Sequence, residues 1–146
     1  MKKITMLLTV IFSLSFSGLC DASPRNIVKN VGTYITDSFY SDEPRKLSEI
    51  QDLFISVGVA KRFNLKFNLS KGKESIISDV TFNIVSTDIQ GDSATVKTEI
   101  LIKGPHPKKN KTRSTLQTYD FILIKNELGV WQITKFKYKY NGAKPS

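Results

Sequence analysis

The stretch that decides the fold is GVWQITKFKYKY, residues 129–140. Side chains of a β-strand alternate between the two faces of a sheet, so Trp131 and Ile133 share one face. Unbroken alternation would turn the aromatic residues that follow to the opposite face. A single bulge at Thr134-Lys135 removes this conflict, because one extra residue exchanges the faces of everything after it. The stretch therefore predicts a bent strand whose apolar side chains share the inner face (Trp131, Ile133, Phe136, Tyr138 and Tyr140) and whose lysines share the outer face (Lys135, Lys137 and Lys139).

The strand that precedes this one in the chain is predicted at residues 115–125. A four-residue turn at 126–129 joins it to the strand that contains Trp131. This pairing places Ile124 opposite Trp131 and Ile122 opposite Ile133. It also places Asp120 on the inner face, with Thr98, Thr118 and Tyr138 as neighbours.

Two more strands are predicted upstream. Residues 76–90 are rich in Ile, Val and Thr, and 94–103 alternate well; Gln90-Gly91-Asp92-Ser93 between them is a hairpin turn. A long loop, 104–114, carries His106 and several basic residues.

The N-terminal half of the domain is predicted to be helical. Ser23-Pro24 is a helix start, and apolar residues then recur at three- and four-residue steps as far as Phe39. A second, shorter helix is predicted from Leu47 to Gly58. The spacing within 59–75 fits either a strand or a helix. We therefore expect an α+β domain, with helices packed on one face of a strongly bent, four-stranded antiparallel sheet.

Residues 1–22 resemble a secretory signal peptide: a cationic start, a short apolar run and small residues before a cleavage point after Ala22. One alternative is a single uncleaved anchor, although no stop-transfer flank follows the apolar run. Acylation at Cys20 is the other, although Leu19 departs from the pattern expected before a lipidated cysteine. The sequence thus predicts a signal peptide at 1–22, one domain at 23–141 and a flexible tail at 142–146. The mature protein would be periplasmic or secreted, with no membrane-spanning segment.

Composition excludes several classes of site. The 146 residues contain one Cys and one His, which excludes a disulfide framework within the chain and an ordinary structural zinc site. Either processing route removes or acylates Cys20, which rules out a Cys–His nucleophile. The chain has no glycine-rich phosphate loop, nucleophile elbow or metal-binding helix motif, so we expect neither a cofactor nor a metal.

The order of elements resembles the NTF2-like superfamily, in which helices close a bent sheet into a cone. The resemblance is carried by the helix 27–39, the hairpin 93–103, the last two strands and the ending Gly129-Val130-Trp131-Gln132-Ile133. A cystatin-like arrangement would show a similar pattern. The superfamily includes isomerases, dehydratases, ligand binders and assembly modules of secretion machines, so the resemblance does not choose a function.

One hypothesis follows from the cone cavity that this resemblance implies. The candidates for it are Asp120, Tyr138, Trp131 and Tyr34. In enzymes of this fold a carboxylate base and a tyrosine move a proton next to a carbonyl, so the chain could be a ketosteroid-isomerase-like enzyme or a small-ligand binder. The competing interpretation makes Asp120 a structural group and the aromatic residues core.

A second hypothesis follows from charge. The net charge is +9, and without residues 1–22, which hold two lysines and one aspartate, it is +8. Residues 23–96 hold nine basic and nine acidic side chains, whereas residues 97–146 hold eleven basic and three acidic ones. The basic face is predicted to comprise Lys97, Lys103, Lys108, Lys109, Lys111, Arg113, Lys135, Lys137 and Lys139.

Such a face can capture anions, although charge runs are more often simply solvated. Nucleic acid is an unsuitable partner for an exported protein. The sequence therefore favours a non-enzymatic domain of the cell envelope that binds a protein or an anionic envelope component, within a secretion or conjugation assembly. A secreted cystatin-like inhibitor or effector is a further hypothesis, and the protein could form a homo-oligomer.

Overall fold

The computed structural model describes residues 23–40, 45–71, 77–105 and 110–145. The first helix, α1, covers Pro24–Tyr40. Ser23 caps it, because the Asn26 N–H donates to Ser23 Oγ at 3.3 Å. Its apolar stripe is buried as predicted, from Ile27 to Phe39. The side chains on this stripe form one wall of the core.

The second predicted helix is wrong in its position. Two 3₁₀ turns, Leu47–Glu49 and Gln51–Leu53, occupy its place, and the helix α2 covers Val57–Lys71. A spacing of three between Leu47, Ile50 and Leu53 matches the three residues per turn of a 3₁₀ helix, which explains the difference. The ambiguous stretch that follows is helical as far as Lys71, with Phe63 and Phe67 buried and Leu65 exposed.

The sheet has four antiparallel strands in the order β1 (Asp79–Gln90), β2 (Ser93–Pro105), β3 (Thr112–Lys125) and β4 (Trp131–Pro145). The predicted hairpin between β1 and β2 is confirmed, since Gln90 pairs with Ser93. Gly91 makes the turn with a φ of 60°, a conformation that glycine adopts readily. β4 includes residues 142–145, which lie within the predicted tail.

The bulge in β4 is confirmed, because Leu123 pairs with Ile133 whereas Ile122 pairs with Lys135. The predicted pairing before the bulge is wrong by one residue: Trp131 lies opposite Lys125, not Ile124. The physical reason lies in the turn. Asn126 Oδ1 accepts hydrogen bonds from the backbone N–H groups of Leu128 and Val130, at 2.9 and 3.0 Å. Asn126 N–H also donates to the Val130 carbonyl at 2.8 Å, which leaves a three-residue turn instead of four.

This shift decides which side chains of β3 face the helices. Tyr119, Phe121 and Leu123 are fully buried there, and residues 116, 118, 120, 122 and 124 face outward. The inner side chains meet α1 and α2 in one hydrophobic core. In the part of the chain that the structure describes, no helix is both long and apolar enough to cross a membrane.

Candidate functional site

Asp120 does not lie in the cone, so its predicted orientation is wrong. It is half-buried on the outer face of the sheet, where it lies opposite Lys97 on β2 and Lys137 on β4. The one-residue register difference between β3 and β4 accounts for the change. Tyr119, the residue before Asp120, takes the inward position instead and is fully buried.

The three other cavity candidates do not converge on one point. Trp131 is buried at the start of β4, with the ammonium group of Lys125 5.6 Å from its ring centroid. Tyr138 is half-buried farther along the strand, with its ring centroid 4.9 Å from that of Tyr119. The Lys66 ammonium from α2 lies 5.0 Å from the Tyr138 ring centroid.

Tyr34 joins the two helices. Its hydroxyl donates to Asn64 Oδ1 at 2.8 Å and lies 3.4 Å from the Arg45 carbonyl. Burial raises the pKa of Tyr34, the Glu49 carboxylate raises it further, and Arg45 partly offsets both. These contacts give Tyr34 a structural role between α1 and α2.

Aromatic rings fill the space between α2 and the inner face of β3 and β4. The Phe63 ring centroid lies 5.5 Å from Tyr119, 5.8 Å from Phe121 and 5.5 Å from Phe136. The edge-on and tilted arrangements are those that aromatic pairs favour. The centre of the cone is therefore packed protein core.

Toward the start of β3 the inner face becomes polar. Thr115 and Gln117 are buried, and the amide oxygen and nitrogen of Gln117 have no hydrogen-bond partner among the described residues. The Thr115 hydroxyl and Arg113 Nε are also buried without a hydrogen-bond partner among the described residues. A buried polar group without a partner costs about 1–3 kcal/mol, so a polar ligand or water that supplied the missing partners would be stabilised here. Gln117 is absent from the predicted site residues, because the predicted register turns its side chain outward. In the observed register it alternates with Tyr119, Phe121 and Leu123 on the buried face, and that alternation is the sequence signal that could have identified it.

The predicted basic face divides into several parts. Lys97, Lys103, Lys135, Lys137 and Lys139 are exposed on the outer face of the sheet, as predicted, and Lys111 is exposed before β3. Arg113 differs from the prediction: it is in β3, opposite Gly104, and lies in the inner row of side chains. Lys108, Lys109 and His106 lie outside the described residues.

Acidic side chains interrupt the positive charge in the middle of the sheet. Asp120 lies between Lys97 and Lys137 across the strands, and Glu99 lies in the next outward row, which ends at Lys139 on β4. Among the described residues of the sheet, the positive charge is therefore concentrated at β4, the last strand.

A groove of ≈ 410 Å³ lies at this place, between α2 and the bulged part of β4. Its cations are Arg62 from α2 and Lys135 and Lys137 from β4. The Thr134 hydroxyl, at the bulge, donates to the Ile122 carbonyl at 3.1 Å. The groove is lined by Val59, Arg62, Ile122, Thr134, Lys135, Phe136 and Lys137. No group of acidic, histidine or cysteine side chains suited to a metal ion occurs among the residues that the structure describes.

Comparison with solved structures identifies proteins of similar fold. The chain is similar to a type 2 hexachlorocyclohexane dehydrochlorinase (LinA), with a TM-score of 0.50, 10% identity and coverage of 84% of this chain and 88% of that one. It is similar to the LinA-type3 enzyme of Novosphingobium barchaimii LL02, with a TM-score of 0.51, 11% identity and coverage of 84% and 90%. An NTF2-like superfamily protein of Salmonella enterica serovar Typhimurium LT2 gives a TM-score of 0.45 at 14% identity, with coverage of 82% and 94%.

The chain therefore has the NTF2-like fold, as the sequence predicted, with helices on a curled four-stranded antiparallel sheet. At 10% and 11% identity the dehydrochlorinases establish the fold and no activity. No family model and no curated protein matches the chain.

Proposed function

We propose that this protein is an exported binding domain that holds an acidic protein partner at the groove between α2 and β4. The observation that carries the proposal is the convergence of Arg62, Lys135 and Lys137 on one ≈ 410 Å³ groove. A cell-envelope or secretion assembly is the setting that we propose, because residues 1–22 have the layout of a secretory signal peptide.

The packing of the core supports binding over catalysis. Proton transfer beside a carbonyl needs a base within hydrogen-bond reach of the substrate. The buried polar residues that the structure describes are Ser38, Thr98, Thr115 and Gln117, and none of them titrates near neutral pH. Asp120, the carboxylate expected to act as the base, lies on the outer face.

The proposal is tested by reversing charge at the groove. Binding of fluorescent poly-L-glutamate to the protein should weaken at least about tenfold in Lys135→Glu/Lys137→Glu and should fall with added salt, since surface charges are screened. The matched control is Lys29→Glu/Lys46→Glu, which changes the net charge equally at two exposed positions outside the predicted basic face. If polyglutamate binding weakens equally in both variants, the effect is due to net charge alone, which would contradict a defined binding site. Tighter binding of anionic lipid vesicles than of polyglutamate would contradict a protein partner.

A second candidate function, the binding of a small polar ligand inside the cone, is favoured by Gln117. An amide with both polar atoms unpartnered suits a ligand that offers one donor and one acceptor. Native mass spectrometry of protein purified from a periplasmic extract should then show a bound small molecule that Gln117→Leu loses. If neither protein carries a ligand and Gln117→Leu is about 1–2 kcal/mol more stable, the amide is only a destabilising core group.

A further inference from the structure

The outer edge of β4 has one short partner. Ile55 N–H donates to the Ile133 carbonyl at 2.8 Å, and Phe54 and Ile133 form a single parallel bridge. Gln132 Nε2 supports this contact by donating to the Phe54 carbonyl at 3.4 Å. Among the described residues, no further strand pairs with this edge after Ile133.

The groove begins where that bridge ends. Residues 134–137 of β4 line one side of it, and Val59 and Arg62 of α2 line the other. Four residues of a strand span roughly 13 Å, so an extended peptide of similar length fits beside them. Unpaired backbone groups at a sheet edge are a template for an added strand.

The charges at this edge select what can be added. Lys135 and Lys137 are two residues apart, so they point to the same side about 7 Å from each other. Acidic side chains at alternate positions of a peptide strand have the same spacing. A second copy of this chain would instead bring its own lysines to the edge, and like charges across a strand pair are destabilising.

From this geometry we infer that an acidic, extended segment of the partner protein binds by adding a strand to β4 beside residues 134–137, with its carboxylates at Lys135, Lys137 and Arg62. The inference rests on the proposed function and goes beyond it, because it assigns part of the affinity to backbone hydrogen bonds. Binding by charge alone would need no particular peptide backbone.

The test uses the peptide acetyl-Glu-Thr-Glu-Val-Glu-Thr-Glu-amide and two N-methylated versions. In one version the Glu amides are methylated, and in the other the Thr and Val amides are. Only alternate amides of an added strand face its neighbour. We expect one methylated version to bind at least about tenfold more weakly and the other to keep its affinity within about threefold. Lys135→Glu/Lys137→Glu should abolish binding of the unmodified peptide, whereas Lys29→Glu/Lys46→Glu should retain it.

Two results would overturn the inference, and they are distinguishable. If both methylated peptides bind as well as the parent and charge reversal still abolishes binding, strand addition is wrong while the proposed acidic partner stands. If the unmodified peptide and polyglutamate both bind the charge-reversed variant as well as the wild type, the proposed function fails with it. Amide hydrogen exchange gives an independent readout, since an added strand should slow exchange in residues 134–139 and leave β1 unchanged.

Discussion

At the scale of single residues, a shift of one position in a strand decides whether a side chain faces solvent or the core. Asp120 and Tyr119 are neighbours in the chain, yet one lies between lysines on the outer face and the other is fully buried. Gln117 and Tyr34 carry buried polar groups of different kinds, because the Tyr34 hydroxyl has a close acceptor in Asn64. The partners of each group, more than its residue type, decide what it contributes.

Tyr34→Phe is expected to lower the free energy of unfolding at neutral pH by about 1 kcal/mol, because it removes the hydrogen bond to Asn64. The raised pKa of Tyr34 sets the alkaline behaviour. An unfolded tyrosine loses its proton near pH 10, before the folded one does, so this contribution is complete below about pH 10 and declines as the pH rises further. Urea unfolding at pH 8 and pH 11 should show a smaller difference between the two proteins at pH 11. A larger difference at pH 11 would contradict the assignment.

Gly32→Ala is expected to destabilise the protein by roughly 1–3 kcal/mol despite the better helix propensity of alanine. A Cβ at this position of α1 would collide with the side-chain ring of Phe82 on β1. Gly58→Ala is the matched control in α2, where the nearest atom, Ser56 Oγ, would be 3.7 Å from the new Cβ. Thermal unfolding should give a lower Tm for Gly32→Ala than for the wild type, and a Tm for Gly58→Ala that is unchanged or higher. Equal Tm values for the two variants would show that α1 and β1 are not packed closely enough at Gly32 to exclude a Cβ.

At the scale of elements, β4 determines how the molecule divides its side chains. The bulge at Thr134 lets Trp131 and Phe136 share the core while the lysines that alternate with the later aromatic residues stay in solvent. It also bends the edge strand beside α2, where the groove lies. The same local irregularity thus serves the core and the proposed binding surface.

Insertion of one alanine between Lys135 and Phe136 should destabilise the protein by more than about 4 kcal/mol, because Phe136 and Tyr138 would then exchange faces with Lys137 and Lys139. Thr134→Val keeps the residue count and removes only the hydrogen bond to the Ile122 carbonyl, at a cost of about 1 kcal/mol. Chemical denaturation of both variants measures the comparison. An insertion variant as stable as Thr134→Val would mean that the sheet can absorb the register change elsewhere.

At the scale of the whole molecule, charge and processing define how the domain is presented. The positive excess lies in residues 97–146, and the fold brings Lys135 and Lys137 of that region to one edge of the sheet, next to Arg62 from a region that is neutral overall. Helix α1 begins at Pro24 and uses Ser23 as its cap. Cleavage after Ala22 would therefore leave this helix complete.

Expression of the full chain in a bacterial host is expected to yield a periplasmic protein that starts at Ser23. Intact-mass measurement would identify it, and Ala22→Arg should block processing because the cleavage site needs a small residue. The cap itself can be tested in the mature protein, since Ser23→Ala should cost about 1 kcal/mol. A mature protein that begins at an acylated Cys20 would contradict the predicted cleavage.

Much of the fold was determined by the sequence alone, because hydrophobic periodicity is a local property. The stripe of α1, the hairpin at Gly91 and the need for a bulge near Thr134 can each be inferred from a few neighbouring residues. They lead to the helices-on-sheet architecture and to the exposed lysines of β4. The leader and its cleavage site also stand as predictions from sequence.

Only the tertiary structure decided the register of β3 against β4, and with it the faces of Asp120 and Gln117. The side chain of Asn126 closes a three-residue turn, and a difference of one residue there reverses every side chain of the paired strand. The groove also depends on the tertiary structure, because Arg62 and Lys137 are distant in the chain and meet only when α2 packs beside β4. Periodicity predicts which face of an element is buried, whereas the contacts between elements decide which charges come together.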